Sequence, residues 1–190
     1  MKYIDTLYTQ TLEIKQSKFI SYLLPYTLYE HTLQELKQSH PKARHFVVAY
    51  RYLNEFKQIV EYSSDDGEPK GTSGKPTLMV LQGADMIHTA VITVRYFGGT
   101  KLGTGGLVRA YSDATNLVLD TADIFEYKEE IKRKIVFEYA NIRKIEYECL
   151  MNEIEILEKN FSDTPQYLVK SDEKNMQVLL EKIDRLVTII

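Results

Sequence analysis

A chain of 190 residues, 44 % hydrophobic and 27 % charged, has the make-up of a soluble globular protein of one large domain or two small ones. No apolar run approaches the roughly 18 residues that span a bilayer. The first residues lack the apolar core of a signal peptide, and a lone cysteine, Cys149, excludes an internal disulfide, so the expected compartment is the cytoplasm. The net charge of −3 argues against a generally adhesive nucleic-acid binder.

In chain order, residues 3–16 alternate loosely and predict a strand, and residues 17–26 predict a second, ended by Pro25. Thr27 is placed to cap a helix in which Leu28, His31, Leu33 and Leu36 have helical spacing and Pro41 is the stop. HFVVAYRYL (45–53) and KQIVEYSS (57–64) predict two strands joined by a polar turn at Asn54 and Glu55. SDDGEPKGTSGKP (64–76) is the strongest loop candidate. Pro76 suits the first turn of a short helix over 77–81. HTAVITVRYF (88–97) is nearly continuous in apolar residues, which predicts a central strand. GGTKLGTGG follows, and from Gly106 the positions Leu107, Val108, Tyr111, Ala114, Leu117 and Val118 predict a helix to residue 122.

Residues 123–131 lack clear periodicity and are expected to be the domain boundary. Beyond them the order is strand (132–139), helix (141–152), strands (153–160 and 165–172), helix (174–186) and final strand (187–190). That order is the βαββαβ plait. The expected fold class is thus α+β, with domains at 1–125 and 126–190. Fourteen tyrosines and no tryptophan suggest tyrosines set mostly in strands, in the core or half-buried.

All nine glycines lie between Gly67 and Gly106. Such crowding suggests a surface built from backbone. Charge follows it: residues 41–111 hold nine Lys/Arg against six Asp/Glu, and residues 123–190 hold eleven against fifteen. A glycine-rich turn entering a helix presents unpaired N–H groups and the positive end of the helix dipole, which suits a phosphate. The backbone at Gly103, Gly105 and Gly106 would supply that edge, with Lys70, Lys75, Arg95, Lys101 and Arg109 as charged contacts. Neither the P-loop nor the dinucleotide fingerprint is present. Arg95, beside Tyr96 and Phe97, reads two ways: a guanidinium next to a stacking surface for RNA, or a partner for a loop carboxylate such as Asp66 or Glu68. Asp65, Asp66 and Glu68 lack the spacing of a calcium loop, no histidine pair has zinc spacing, and Ser73 lacks the nucleophile-elbow context. No metal, cofactor or catalytic residue is predicted.

DDGEPKGTSGKP, VRYFGGTKLGTGGLVRAYSDA, SKFI and ARHFVVAYR resemble the signature of the YigZ/IMPACT family, bacterial two-domain type. One departure is HFVVAYR, where a small polar residue and a cysteine would follow His45. The resemblance spans essentially the whole chain. It implies a two-layer N-terminal domain similar to domain IV of elongation factor G, and a C-terminal ferredoxin-like plait similar to domain V. It makes Asp65, Asp66, Gly67, Glu68 and Pro69 a signature loop. Eukaryotic relatives carry an extra partner-binding module and restrain the kinase that responds to uncharged tRNA; this chain starts at the shared domain, so that role does not carry over. The resemblance implies a translation-associated or RNA-binding role; with the basic, glycine-built surface, the expected protein is a non-catalytic regulator that binds RNA or the ribosome, in which Tyr96 or Tyr111 stacks on a base. Two alternatives stand beside it: an enzyme or binding protein for a phosphorylated small molecule or nucleotide, with Asp65, Asp66 or Glu68 as base or magnesium ligand, and a protein-binding regulator using the DDGEP loop.

Overall fold

The computed structural model describes residues 1–190, and contacts divide the chain into two compact units, Met1–Tyr127 and Lys128–Ile190. The first unit runs Lys2–Tyr3 (β1), Tyr8–Ile14 (β2), Ser17–Pro25 (β3), Tyr29–Ser39 (α1), His45–Leu53 (β4), Ile59–Ser64 (β5), Gly74–Gly83 (α2), Thr89–Tyr96 (β6), Gly103–Leu119 (α3) and Phe125–Glu126 (β7). Five strands form an antiparallel sheet in the order β2-β3-β6-β4-β5. β6 is central, as its apolar run predicts, and every residue of it but Tyr96 is buried.

Successive strand residues point to opposite faces. Leu23, Ala49 and Val91 pack with Leu81 of α2 and Val118 of α3, whereas Leu24, Val48, Ala90 and Ile92 pack with Leu33 and Leu36 of α1. Helices thus cover both faces, and the unit has three layers where two were expected. The spacing of apolar residues locates α1 along the chain but carries no information on which face it covers.

Local boundaries shift for identifiable reasons. Thr27 is not the cap of α1; Pro25 is followed by a 3-10 turn over Tyr26–Leu28, and Leu28 precedes the helix without a side-chain cap. α2 starts at Gly74, so Pro76 does sit in its first turn, where a missing N–H is harmless. α3 starts at Gly103, so the glycine run is the first turn of the helix rather than the loop before it. Phe125–Glu126 pairs with Lys2–Tyr3, which gives structure to part of the segment read as a boundary.

The second unit runs Glu130–Phe137 (β8), Ile142–Met151 (α4), Glu155–Phe161 (β9), Pro165–Asp172 (β10), Glu173–Ile183 (α5) and Val187–Ile189 (β11), with an antiparallel sheet ordered β11-β8-β10-β9. Both helices bury one side, through Ile145, Cys149, Met176, Leu179 and Ile183, against Ile135, Phe137, Tyr167 and Val169. Asp172 caps α5 by accepting from the Asn175 N–H at 2.9 Å. No helix of the chain is long and apolar enough to cross a membrane.

Candidate nucleic-acid interface

The loop from Asp65 to Pro76 folds around its own carboxylates. Asp65 Oδ1 accepts from the N–H groups of Ser73 (3.1 Å) and Gly74 (2.8 Å) and from Ser73 Oγ (2.7 Å), and Oδ2 accepts from the Gly71 N–H (2.7 Å). This carboxylate sits in the anion-binding position at the start of α2. Burial alone would raise its pKa; the donors from Gly71, Ser73 and Gly74 outweigh that and hold it below the ordinary carboxylate value. Ser73 is fully buried and spends its hydroxyl on Asp65, which removes it as a nucleophile. Asp66, at positive φ, accepts from the Phe46 N–H at 2.6 Å, and its carbonyl meets His45 Nδ1 at 2.8 Å. Gly74 is required for packing: a Cβ there would lie 2.7 Å from the backbone of Ser64.

Glu68 and Arg95 form a buried pair. Arg95 Nη1 donates to Glu68 Oε1 at 2.5 Å, and the Tyr111 hydroxyl donates to the same oxygen at 2.8 Å. Arg95 is 6 % exposed and Tyr111 is fully buried, with its ring edge-on to Phe19 at 5.2 Å. Burial first, and then Glu68, pushes the Tyr111 hydroxyl well above its usual pKa, so it stays a donor. These placements correct two expectations. Arg95 takes the second of its two readings, as partner of a loop carboxylate, and does not present a free cation. Tyr111 cannot stack on a base. Tyr96 is half-buried on the α1 face, with its hydroxyl 2.8 Å from His40 Nδ1. The exposed ring at this end of the sheet is Phe97, at 55 %, with the Arg95 guanidinium 5.8 Å from its centroid. Its place in the signature was visible in the sequence, but its exposure was not.

The turn between β6 and α3 is built differently. Gly98 meets the β2–β3 turn so closely that a Cβ would fall 2.0 Å from the carbonyl carbon of Gln16, and its N–H donates to Ser17 Oγ at 3.1 Å. The first turn of α3, by contrast, is open. It has no side-chain cap and no acidic residue, and Gly103, Thr104 and Gly105 are exposed. A Cβ on Gly105 would meet nothing within 4 Å. The N–H groups of this turn therefore face outward with the positive end of the helix dipole.

Unpaired cations flank it along the chain and lie in the neighbouring loop. Lys70, Lys75, Lys101 and Arg109 are all exposed and form no ion pair. Strand register adds three that sequence reasoning missed. Lys18 lies opposite Tyr96 and His45 opposite Arg95, so Lys15 in the β2–β3 turn, Lys18, and Arg44 before β4 come to the same end of the sheet. Nothing in their spacing along the chain signals this; it follows from antiparallel pairing of residues far apart in sequence, Lys18 with Tyr96 and His45 with Arg95.

Residues 15–119, which hold both turns and the Glu68–Arg95–Tyr111 cluster, match the Impact N-terminal domain. The chain belongs to the IMPACT family. An IMPACT family member of Haemophilus influenzae is 34 % identical over 180 residues, covering 90 % of this chain and 84 % of that one. The member YigZ of Escherichia coli is 41 % identical over 117 residues, 56 % of this chain and 54 % of that protein. A crystal structure of a hypothetical protein aligns over 100 % of this chain and 95 % of its own, with a TM-score of 0.67 and 27 % identity.

Proposed function

We propose that this IMPACT family chain is a non-catalytic, cytoplasmic regulator associated with translation, and that it binds RNA on or near the ribosome through the open turn of α3 and the cations around it. The observation that supports this reading most is the uncapped N-terminus of α3, flanked along the chain by the exposed and unpaired Lys101 and Arg109, with Lys70 and Lys75 exposed in the neighbouring loop and helix start and Lys15, Lys18 and Arg44 at the β2–β3 and β4 end of the sheet. Backbone N–H groups and scattered cations recognise phosphate without reading sequence. Phe97 supplies the exposed ring for an unstacked base. Likeness of the two units to domains IV and V of elongation factor G is part of the same proposal. The phosphotransfer alternative is less favoured because Asp65 accepts four protein hydrogen bonds, one Asp66 oxygen accepts from the Phe46 N–H, and one Glu68 oxygen is buried against Arg95 and Tyr111.

Co-sedimentation with ribosomes at low and moderate salt tests the proposal, with Lys101→Ala/Arg109→Ala beside the unaltered chain. Both positions are exposed, so the variant folds. The expected result is salt-sensitive sedimentation that the variant loses. Sedimentation equal in both proteins would overturn the assignment of the face. Absent sedimentation, combined with a thermal shift on adding nucleotide, would replace the reading with a small-molecule one.

A further inference from the structure

The other face of the first sheet carries a feature that RNA binding at the sheet end does not use. Five tyrosines converge there: Tyr26 in the turn after β3, Tyr29 at the start of α1, Tyr50 and Tyr52 on β4, and Tyr62 on β5. Tyr26 and Tyr52 are parallel at 4.2 Å, Tyr50 and Tyr62 are stacked at 5.1 Å, and Tyr29 meets Tyr50 at 5.1 Å. None of the five is buried, and Tyr62 is 46 % exposed on an edge strand. A hydrophobic core does not need this arrangement. Tyr50 and Tyr29 already border the α1-side cluster, yet the array extends past it to the sheet edge.

We infer that this tyrosine platform docks an extended, proline-containing peptide segment that carries a basic residue. Flat, half-exposed phenol rings fit pyrrolidine rings, and the polyproline II backbone leaves its carbonyls free to accept from tyrosine hydroxyls. Burial first, then the contact with Tyr52, pushes the Tyr26 hydroxyl up to about 12, and burial likewise raises Tyr29 and Tyr50, so these three remain donors. Charge selects the class of partner. Glu30 is exposed, forms no ion pair, and follows Tyr29 directly in the first turn of α1, beside the array. An acid beside π-faces attracts an arginine or lysine, which gains from both. The same acid repels a phosphate backbone, which sets this face apart from the cationic sheet end.

The test is a titration of the full chain with a short synthetic peptide containing a Pro-x-x-Pro run and one arginine, followed by ring NMR signals. Two control peptides replace the arginine by glutamate or the prolines by alanine, and a single-stranded oligouridine is the nucleic-acid probe. Signals of Tyr50, Tyr52 and Tyr62 should move with the arginine peptide and much less with either control. Tyr62→Ala should weaken binding about tenfold and Glu30→Lys about threefold, in line with an aromatic anchor and a rim charge. Both positions are exposed, and an unchanged melting temperature confirms folding. Lys101→Ala/Arg109→Ala should leave this binding intact, so its failure is separable from failure of the RNA reading. No ring shifts at millimolar peptide, shifts unaffected by both platform variants, or the same rings moved by oligouridine instead would each overturn the inference.

Discussion

The two glycine-rich turns of the first unit solve the same backbone problem in opposite ways. At the start of α2 the chain fills the anion-binding position itself, with Asp65 receiving three N–H groups and one hydroxyl. At the start of α3 no side chain does so, and no acid lies in the first turn. Glycine also has a different role in each. Gly74 is forced by the backbone of Ser64 2.7 Å from its missing Cβ, whereas a Cβ on Gly105 would meet nothing within 4 Å. A glycine that packing does not require, at an exposed helix start, leaves the backbone there open to close approach from outside. The closed turn is scaffold, and the open turn is surface.

Substitutions at five positions would break or sharpen this contrast. The largest effect belongs to the closed side: Glu68→Ala strands the buried Arg95 charge and should lower unfolding free energy by about 3–5 kcal/mol in urea. A midpoint that barely moves would show that the pair does not hold the loop. Gly74→Ala should destabilise by about 1–3 kcal/mol through overpacking, as read from the shift in thermal midpoint. Asp65→Ala should remove about 1–2 kcal/mol as a lost helix cap. Its pH signature follows from the lowered pKa. The contribution is complete above the ordinary carboxylate pKa of about 4 and is lost as pH falls through the lower folded value, so acid unfolding of Asp65→Asn should lack that component. The smallest stability effects lie on the open side. Gly105→Ala should be neutral or stabilising by up to about 1 kcal/mol while weakening RNA binding. Lys101→Ala should leave stability unchanged and reduce the salt slope of RNA binding by about 0.7–0.9. Loss of stability at Gly105 would erase the contrast.

Much of the fold is legible in residue patterns, because β6 and β10 are long, strongly apolar or alternating, and bounded by clear breakers. The glycine run of α3 is not, since local propensity reads Gly103 to Gly106 as a loop and only packing of Leu107, Ala110, Tyr111 and Ala114 makes the helix begin there. The site was legible as a segment but not as a surface. Arg95 and Lys101 look alike in the sequence, six residues apart; one lies in β6 and is buried against Glu68, and the other lies in the turn after β6 and is exposed. Lys15, Lys18 and Arg44 were missed for the converse reason: their proximity exists only through strand register.

The contact between Gly98 and the β2–β3 turn has a consequence for how the protein is made. Ser17 and Gly98 are 81 residues apart, so on a ribosome adding about 5–20 residues per second the hairpin emerges roughly 4–16 s before the glycine that must fit against it. β2 and β3 can pair from local contacts alone during that interval. The open turn of α3 is then shaped late, on a template laid down at the beginning of synthesis. A nascent chain would complete this turn only after β6 has been inserted between β3 and β4.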